Sequence, residues 1–340
     1  MTLSFKPLSD QVIVLTGATS GIGLATARLL SREGARLVLV ARGEDALETL
    51  AEELGAECTL AVPTDVAEAG SVERVAERAV ARFGHVDTWI NDAGVAIYGK
   101  VEDVPLEDHR RLFETNYWGV VHGTLTALRL FRRQGGTGKI VNMGSQLSDR
   151  AMILQGPYSA SKFAVKAITD AVRTETAEAG LDVSITLVKP GAIDTPYMEH
   201  ARNHMDTDST VNPPPSYDPA LVAKAIAHAC THDARDLDVG GAGWATAKMT
   251  RIAPRTTDAM MQATGRMLQR GDTPPRPGMR DNLHSSARNL EERSGVTSPA
   301  RRTSLMLEAQ MHPVATAAVG LALAAGAAAL ARRARNSAGR

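Results

Sequence analysis

Cysteine is nearly absent from this chain. Only Cys58 and Cys230 occur in 340 residues, far apart and without metal-ligand spacing. That excludes a disulfide framework and fits a reducing compartment. Aromatic residues make up only 4%, so the core has to be built from Ala, Val, Leu and Ile. The first ten residues hold no long apolar run, so no secretory leader is expected there and a cytoplasmic location is the expectation. Lysine disappears after residue 250: residues 251–340 carry fourteen Arg, no Lys and six acidic groups. The formal net charge is nevertheless zero, so the first 250 residues are acidic in compensation. A phosphate bound in that acidic body needs local positive groups rather than a global field, whereas the basic tail points to an anionic surface or another acidic partner.

What is present is the balance of a folded globular protein, 44% hydrophobic and 22% charged. The length suits one large α/β domain plus an appendage, or two ordinary domains. Apolar runs and amphipathic stretches alternate from the start. Residues 11–16 (QVIVLT), 36–41 (RLVLVA), 58–63, 86–91 (VDTWIN), 139–143 (KIVNM) and 183–188 (VSITLV) read as strands. Between them, 22–33 (closed by Gly34), 44–54, 71–83, 108–131 and 159–179 read as helices. Such alternation specifies a parallel sheet covered on both faces: an α/β, Rossmann-like doubly wound fold. Ligands in such sheets lie beyond the carboxyl ends of the strands. Beyond about residue 240 the alternation fails, and residues 200–218 and 271–304 read as loop.

The turn after the first strand runs Thr16-Gly17-Ala18-Thr19-Ser20-Gly21-Ile22-Gly23. Glycines allow positive φ and close approach of a phosphate, and the following helix N-terminus offers N–H groups to a pyrophosphate. Where an NAD site would carry an acid at the end of the second strand stands Ala41, followed by Arg42, which suits a 2′-phosphate and NADP(H). Tyr158 and Lys162 are four residues apart on one face of a helix. A cation fixed beside a phenol favours the phenolate and lowers its pKa toward a useful range. Ser145, just after the fifth strand, is placed to donate to a substrate carbonyl, or simply to cap a turn.

Taken together, these motifs resemble the short-chain dehydrogenase/reductase family over residues 9–240, about two thirds of the chain. TGATSGIG is similar to the family's cofactor turn, and Asp65-Val66 to its adenine-contacting segment. Asn91-Asp92-Ala93-Gly94 resembles its NNAG motif, with Asp92 in place of the second Asn. Pro190-Gly191 with Thr195 resembles the segment that meets the nicotinamide amide, and Asn116, Ser145, Tyr158 and Lys162 match the catalytic tetrad. The resemblance implies a seven-stranded sheet and carbonyl–alcohol interconversion on a small-molecule substrate, not nucleic acid binding. Tyr158 is then the proton donor or acceptor, Lys162 holds the nicotinamide ribose, Ser145 polarises the carbonyl and Asn116 holds a water of the proton relay. It also implies a homodimer or homotetramer through the helices around 108–131 and 159–179. A non-catalytic NADP(H)-binding regulator, or a membrane-tethered scaffold, is the competing reading.

Residues 195–217 sit where the family keeps its substrate loop, and Tyr197, Met198 and Met205 there suit an apolar substrate. His200 and His204 are four apart but lack the glutamate of an HExxH site, so no metal is expected. The division expected is a catalytic domain over 1–240 and an extension over 241–340. Within the extension, residues 314–331 form an uncharged Ala-rich helix at the lower limit for spanning a bilayer. Arginines follow it up to 335, giving a basic end suited to membrane contact; a soluble packing helix is the alternative.

Overall fold

Runs such as Val12–Thr16 are apolar without alternation because a parallel strand with helices on both faces has no solvent side. All five residues of that strand are buried. The computed structural model describes residues 5–207, 209–271, 280–286, 290–294 and 299–338. In chain order the elements begin β1 Val12–Thr16, α1 Gly21–Arg32, β2 Arg36–Ala41, α2 Glu44–Leu54, β3 Thr59–Pro63, α3 Ala69–Phe83, β4 Thr88–Asn91, the short β5 Ile97–Tyr98 and α4 Leu106–Phe113. A π-helical turn, Glu114–Trp118, leads into α5 Gly119–Arg133, β6 Thr137–Met143, α6 Gly156–Glu178 and β7 Asp182–Pro190. Then come the short β8 Arg202–Asn203 and β9 Ser209–Thr210, followed by α7 Pro219–Thr231 and β10 Asp236–Val239. The extension adds α8 Ala242–Ile252, α9 Pro254–Thr264, the short β11 Arg270–Gly271, α10 Leu305–Met311 and α11 Pro313–Ala338.

The central sheet has seven strands in the order β10-β7-β6-β4-β1-β2-β3, every pair parallel. The order reverses on either side of β1 and β4, which opens a crevice at their carboxyl ends. One apolar layer joins Ile13, Leu15, Leu37 and Leu39 to α1 and α7; the other joins Val12, Val14, Trp89 and Ile140 to α3 and α5.

Two expectations are corrected. The helix expected over 108–131 is interrupted by the π turn at Glu114–Trp118, where the ladder takes in one extra residue per turn. The loop expected over 200–218 carries β8 and β9, which pair with β5 and β11; two-residue strands leave no periodicity to read. Of the loop expected over 271–304, residues 272–279, 287–289 and 295–298 lie outside the described residues. The apolar stretch 314–331 lies within α11. Among the described residues no helix is long and apolar enough to cross a membrane.

A polar chain runs through the middle of the molecule. Trp89 Nε1 donates to Asn91 Oδ1 (2.9 Å), Asn91 Nδ2 to Asn142 Oδ1 (2.8 Å) and Asn142 Nδ2 to Thr169 Oγ1 (3.0 Å). It links β4, β6 and α6 with every member buried. Gly123 of α5 lets the helix approach, since a Cβ there would stand 2.0 Å from Asn91 Oδ1. Asn91→Ala is expected to strand the partners and lower the unfolding free energy by about 2–4 kcal/mol, at roughly 1–3 per orphaned group. Urea unfolding measures it. The folded fraction should keep its affinity for nicotinamide cofactor; loss of affinity at unchanged stability would give Asn91 a binding role instead.

Candidate active site

The crevice is a single cavity of about 410 Å³ that runs from the end of β2, past the glycine turn, to Tyr158. Gly17 has φ +76°, and a Cβ on it would lie 2.9 Å from the Ala93 backbone. A Cβ on Gly23 would meet Gly17 O at 2.1 Å. Those two positions hold the β1–α1 turn against the β4 loop, leaving Gly17, Thr19, Ser20, Gly21 and Ile22 on the cavity wall. Opposite them stand Ala93, Gly94, Pro190, Gly191 and Thr195, and at the far end Arg42, Asp65 and Val66. Thr16, Gly23, Asn91 and Asn116 do not line it. Thr16 Oγ1 instead accepts from the amides of Asp92 (3.0 Å) and Ala93 (3.1 Å), so it shapes the loop from behind.

At the β2 end, Arg42 is not a solvated charge. Its guanidinium donates to the carbonyls of Asn282, Leu283 and Ser285, and burial lowers its pKa. Arg111 from α4 is a second cation there, bonded to Asp65 Oδ2 at 2.5 Å. Burial disfavours the Asp65 charge, but the Ala67 amide and Arg111 outweigh it and hold the carboxyl below its usual range. Arg111 was not singled out from the sequence, because a charge on a helix face carries no mark of what it faces. The Gly21 amide, expected to face a pyrophosphate, donates to Glu291 O at 2.8 Å.

At the other end, Tyr158 and Lys162 stand on the first turns of α6, which Pro157 opens. Ser145 does both things its position allowed. It caps a short turn by accepting from the Leu147 amide (3.0 Å), and its hydroxyl lies where it favours the Tyr158 phenolate. Tyr197, which sequence reasoning assigned only to the substrate loop, meets Tyr158 edge-on with ring centres 6.1 Å apart, and its hydroxyl favours the Tyr158 phenolate. Burial raises the Tyr158 pKa, with the Tyr197 and Ser145 hydroxyls offsetting it in part. The phenol is therefore held protonated, contrary to the lowering expected from a neighbouring lysine. Lys162 Nζ donates to Met143 O (2.8 Å) and lies 5.8 Å from the Tyr158 ring centre. Burial brings Lys162 itself down to about 8, with Asp92 pulling the other way. Asn116, in the π turn, has its side chain committed: Oδ1 accepts from Val95 N (2.8 Å), and Nδ2 donates to Val95 O (3.0 Å) and Ser161 Oγ (3.2 Å).

Beyond Tyr158 the wall is apolar, with Tyr98, Met152, Tyr197 and Met198 facing Met260, Met261 and Leu268 of the extension. His204 does not pair with His200; it bonds the buried Asp108 at 2.8 Å. Among the described residues no group of three or more His, Cys, Asp or Glu could hold a metal.

With this geometry in view, the comparisons are direct. A family model described as short chain dehydrogenase matches residues 11–206. The chain belongs to that family. It is 38% identical over 329 residues to an uncharacterized oxidoreductase of Bacillus subtilis, YxnA, covering 96% of this chain and 92% of that one. That match therefore takes in most of the extension. Dehydrogenase/reductase SDR family member 7B of Bos taurus is 37% identical over 196 residues, 55% of this chain and 59% of that one. Among solved structures, an alcohol dehydrogenase of Thermococcus sibiricus complexed with 5-hydroxy-NADP superposes with TM-score 0.58 at 29% identity, covering 67% of this chain and 95% of that one. A short-chain dehydrogenase of Streptomyces avermitilis gives 0.63 at 25% identity, covering 76% and 98%. The chain is an oxidoreductase of this family on a Rossmann-like sheet.

Asp92 marks a departure with a measurable consequence. Burial pushes its carboxyl up to about 7, Lys162 opposing. The folded protein thus holds this proton more tightly than the unfolded chain does, so stability falls as pH rises from about 4 to about 7. Asp92→Asn removes that cost. Thermal melts should favour the variant above pH 7 by on the order of 1–2 kcal/mol, at about 2–4 °C per kcal/mol, with the gap closing toward pH 4. A gap that is the same at both pH values would refute the assignment.

Proposed function

We propose that this protein reduces a carbonyl to an alcohol at the expense of NADPH, with Tyr158 as general acid. The observation that carries the reading is the meeting of Tyr158, Ser145 and Lys162 at one end of a groove whose middle is the glycine turn. The groove's own features fit a dinucleotide. Gly17, Thr19, Ser20, Gly21 and Ile22 form its middle wall at the start of α1, with Gly17 at φ +76° packed on the Ala93 backbone, and Arg42 stands at its far end. When bound, NADP(H) supplies or accepts the hydride.

The chain's own residues do the rest. Ser145 and Tyr158 present hydroxyls to the substrate oxygen, and Tyr158 gives it a proton as negative charge builds there. Burial keeps that phenol protonated in the resting protein, which suits a proton donor. The Lys162 ammonium, fixed on Met143 O, is placed to hold the ribose hydroxyls and to stabilise the phenolate once the proton has left. The turn at Asn116 is the site proposed for the relay water. At the far end Arg42, with Arg111 beside it and Ala41 in place of an acid, favours the 2′-phosphate of NADP(H); the Thermococcus structure is of an NADP derivative. The methionine-rich wall favours an apolar carbonyl compound. Trp118, Leu125 and Phe163, half-exposed on the π turn, α5 and α6, favour a homo-oligomer through those helices.

Tyr158→Phe should lower carbonyl-dependent NADPH oxidation by ~10²–10⁴ with cofactor affinity nearly unchanged; turnover at the wild-type rate would remove Tyr158 from the chemistry. Ala41→Asp sets a carboxylate against the 2′-phosphate. The ratio of kcat/KM for NADPH over NADH should then fall roughly 10- to 150-fold, the worth of one charge-assisted hydrogen bond. An unchanged ratio would place the 2′-phosphate elsewhere.

A further inference from the structure

The adenosine end of the groove is walled by chain from the arginine-rich extension. Leu283 is fully buried among Val95, Ile97, Val104 and Leu112, which seats the segment 280–286 on the body. The Leu283 carbonyl accepts from both Arg42 (3.3 Å) and Arg111 Nε (3.1 Å), and the Asn282 amide donates to His200 O (2.9 Å). His284 bonds the buried Asp108 at 3.0 Å. A second stretch, 290–294, reaches the glycine turn. Glu291 O takes the Gly21 amide, Glu292 pairs with Arg28 (2.8 Å), and Arg293 pairs with Asp218 (2.8 Å). The two stretches thus hold both the β2 end and the phosphate end of the groove.

Two details point to a ligand rather than to packing alone. Asn282 lines the cavity, yet its Oδ1 is buried with no partner. Such an acceptor costs about 1–3 kcal/mol unless something donates to it. Arg42 spends three of its five N–H groups on the segment's carbonyls. They aim the guanidinium and leave two N–H groups with no partner among the described residues.

We propose that 280–286 and 290–294 form a clasp that completes the dinucleotide site, with the Asn282 side chain, whose Oδ1 is closed off while the groove is empty, turning to accept a hydrogen bond from the adenosine half, at its exocyclic amine or a ribose hydroxyl. The clasp lies wholly outside the 11–206 segment that defines the family. It slows cofactor release and makes the extension part of the binding site. The inference rests on the nucleotide reading of the groove.

The test uses the full chain. NADPH and 2′,5′-ADP are titrated by fluorescence, and NADPH release is followed by stopped flow, in the wild type, Asn282→Ala and Leu283→Ala, with thermal melts to confirm folding. Asn282→Ala is expected to weaken both ligands about three- to tenfold, mainly through faster release, while the ligand-free melting temperature is kept or raised because a buried unpaired acceptor is removed. Leu283→Ala, which loosens the seat, should speed release further. If both variants bind as the wild type does, or bind faster and tighter, the segment is an obstacle rather than a clasp and the proposal falls while the enzyme reading stands. If the wild type binds neither ligand, the nucleotide reading itself falls and the clasp with it.

Discussion

One buried hydrogen bond, from Asn91 to Asn142, organises the rest of the site. Asn91 is the last residue of β4 and Asn142 the penultimate residue of β6. The loops that leave those strands carry Asp92-Ala93-Gly94 on one side and Gly144-Ser145 on the other. Fixing the two asparagines fixes the register of the Asp92–Gly94 loop against Ser145. The chain continues to Thr169 of α6, two turns beyond Lys162, so the helix that bears Tyr158 and Lys162 is tied to the same point. Inside a low-dielectric core a fully satisfied polar chain is rigid, since any displacement strands a donor or acceptor. Lys162 is tied in as well, through Met143 O, the residue next to Asn142.

Burial is the second constraint, and it sets the chemistry's starting state. Tyr158, Lys162 and Asp92 share one desolvated pocket, where each neutral form is favoured: the phenol is raised, the ammonium brought to about 8 and the carboxyl to about 7. Burial shifts each group toward its neutral form because charge removed from water has to be matched by close partners, yet at about 8 Lys162 still carries its charge near neutral pH. The Tyr197 and Ser145 hydroxyls match the phenol only partly. The resting pocket is therefore poised to donate a proton.

The extension gives this scaffold its particular shape. Its α8–α9 pair brings Met260 and Met261 to the Tyr158 end of the cavity, and 280–286 and 290–294 meet Arg42 and the glycine turn at the other. Gln146 ties the inner edge together by donating to Val239 O at the end of β10, beneath Gly191 and Gly243, where a Cβ would collide with its amide.

The sequence alone determined the sheet, its helices and the positions of Tyr158, Lys162, Ser145 and the glycine turn. These follow from local rules: apolar runs without alternation, a glycine turn between strand and helix, a four-residue spacing on one face. The π turn escaped because an amphipathic pattern reads the same through an extra residue. Tertiary structure alone decided which groups face one another. It turned the side chain of Asn91 into the core and gave Asn116's to Val95, brought Arg111 beside Arg42, and laid a segment without any periodicity across the groove. Those are contacts between residues tens to hundreds of positions apart, set by packing and by the need to pair buried charge, and no local pattern in the chain encodes them.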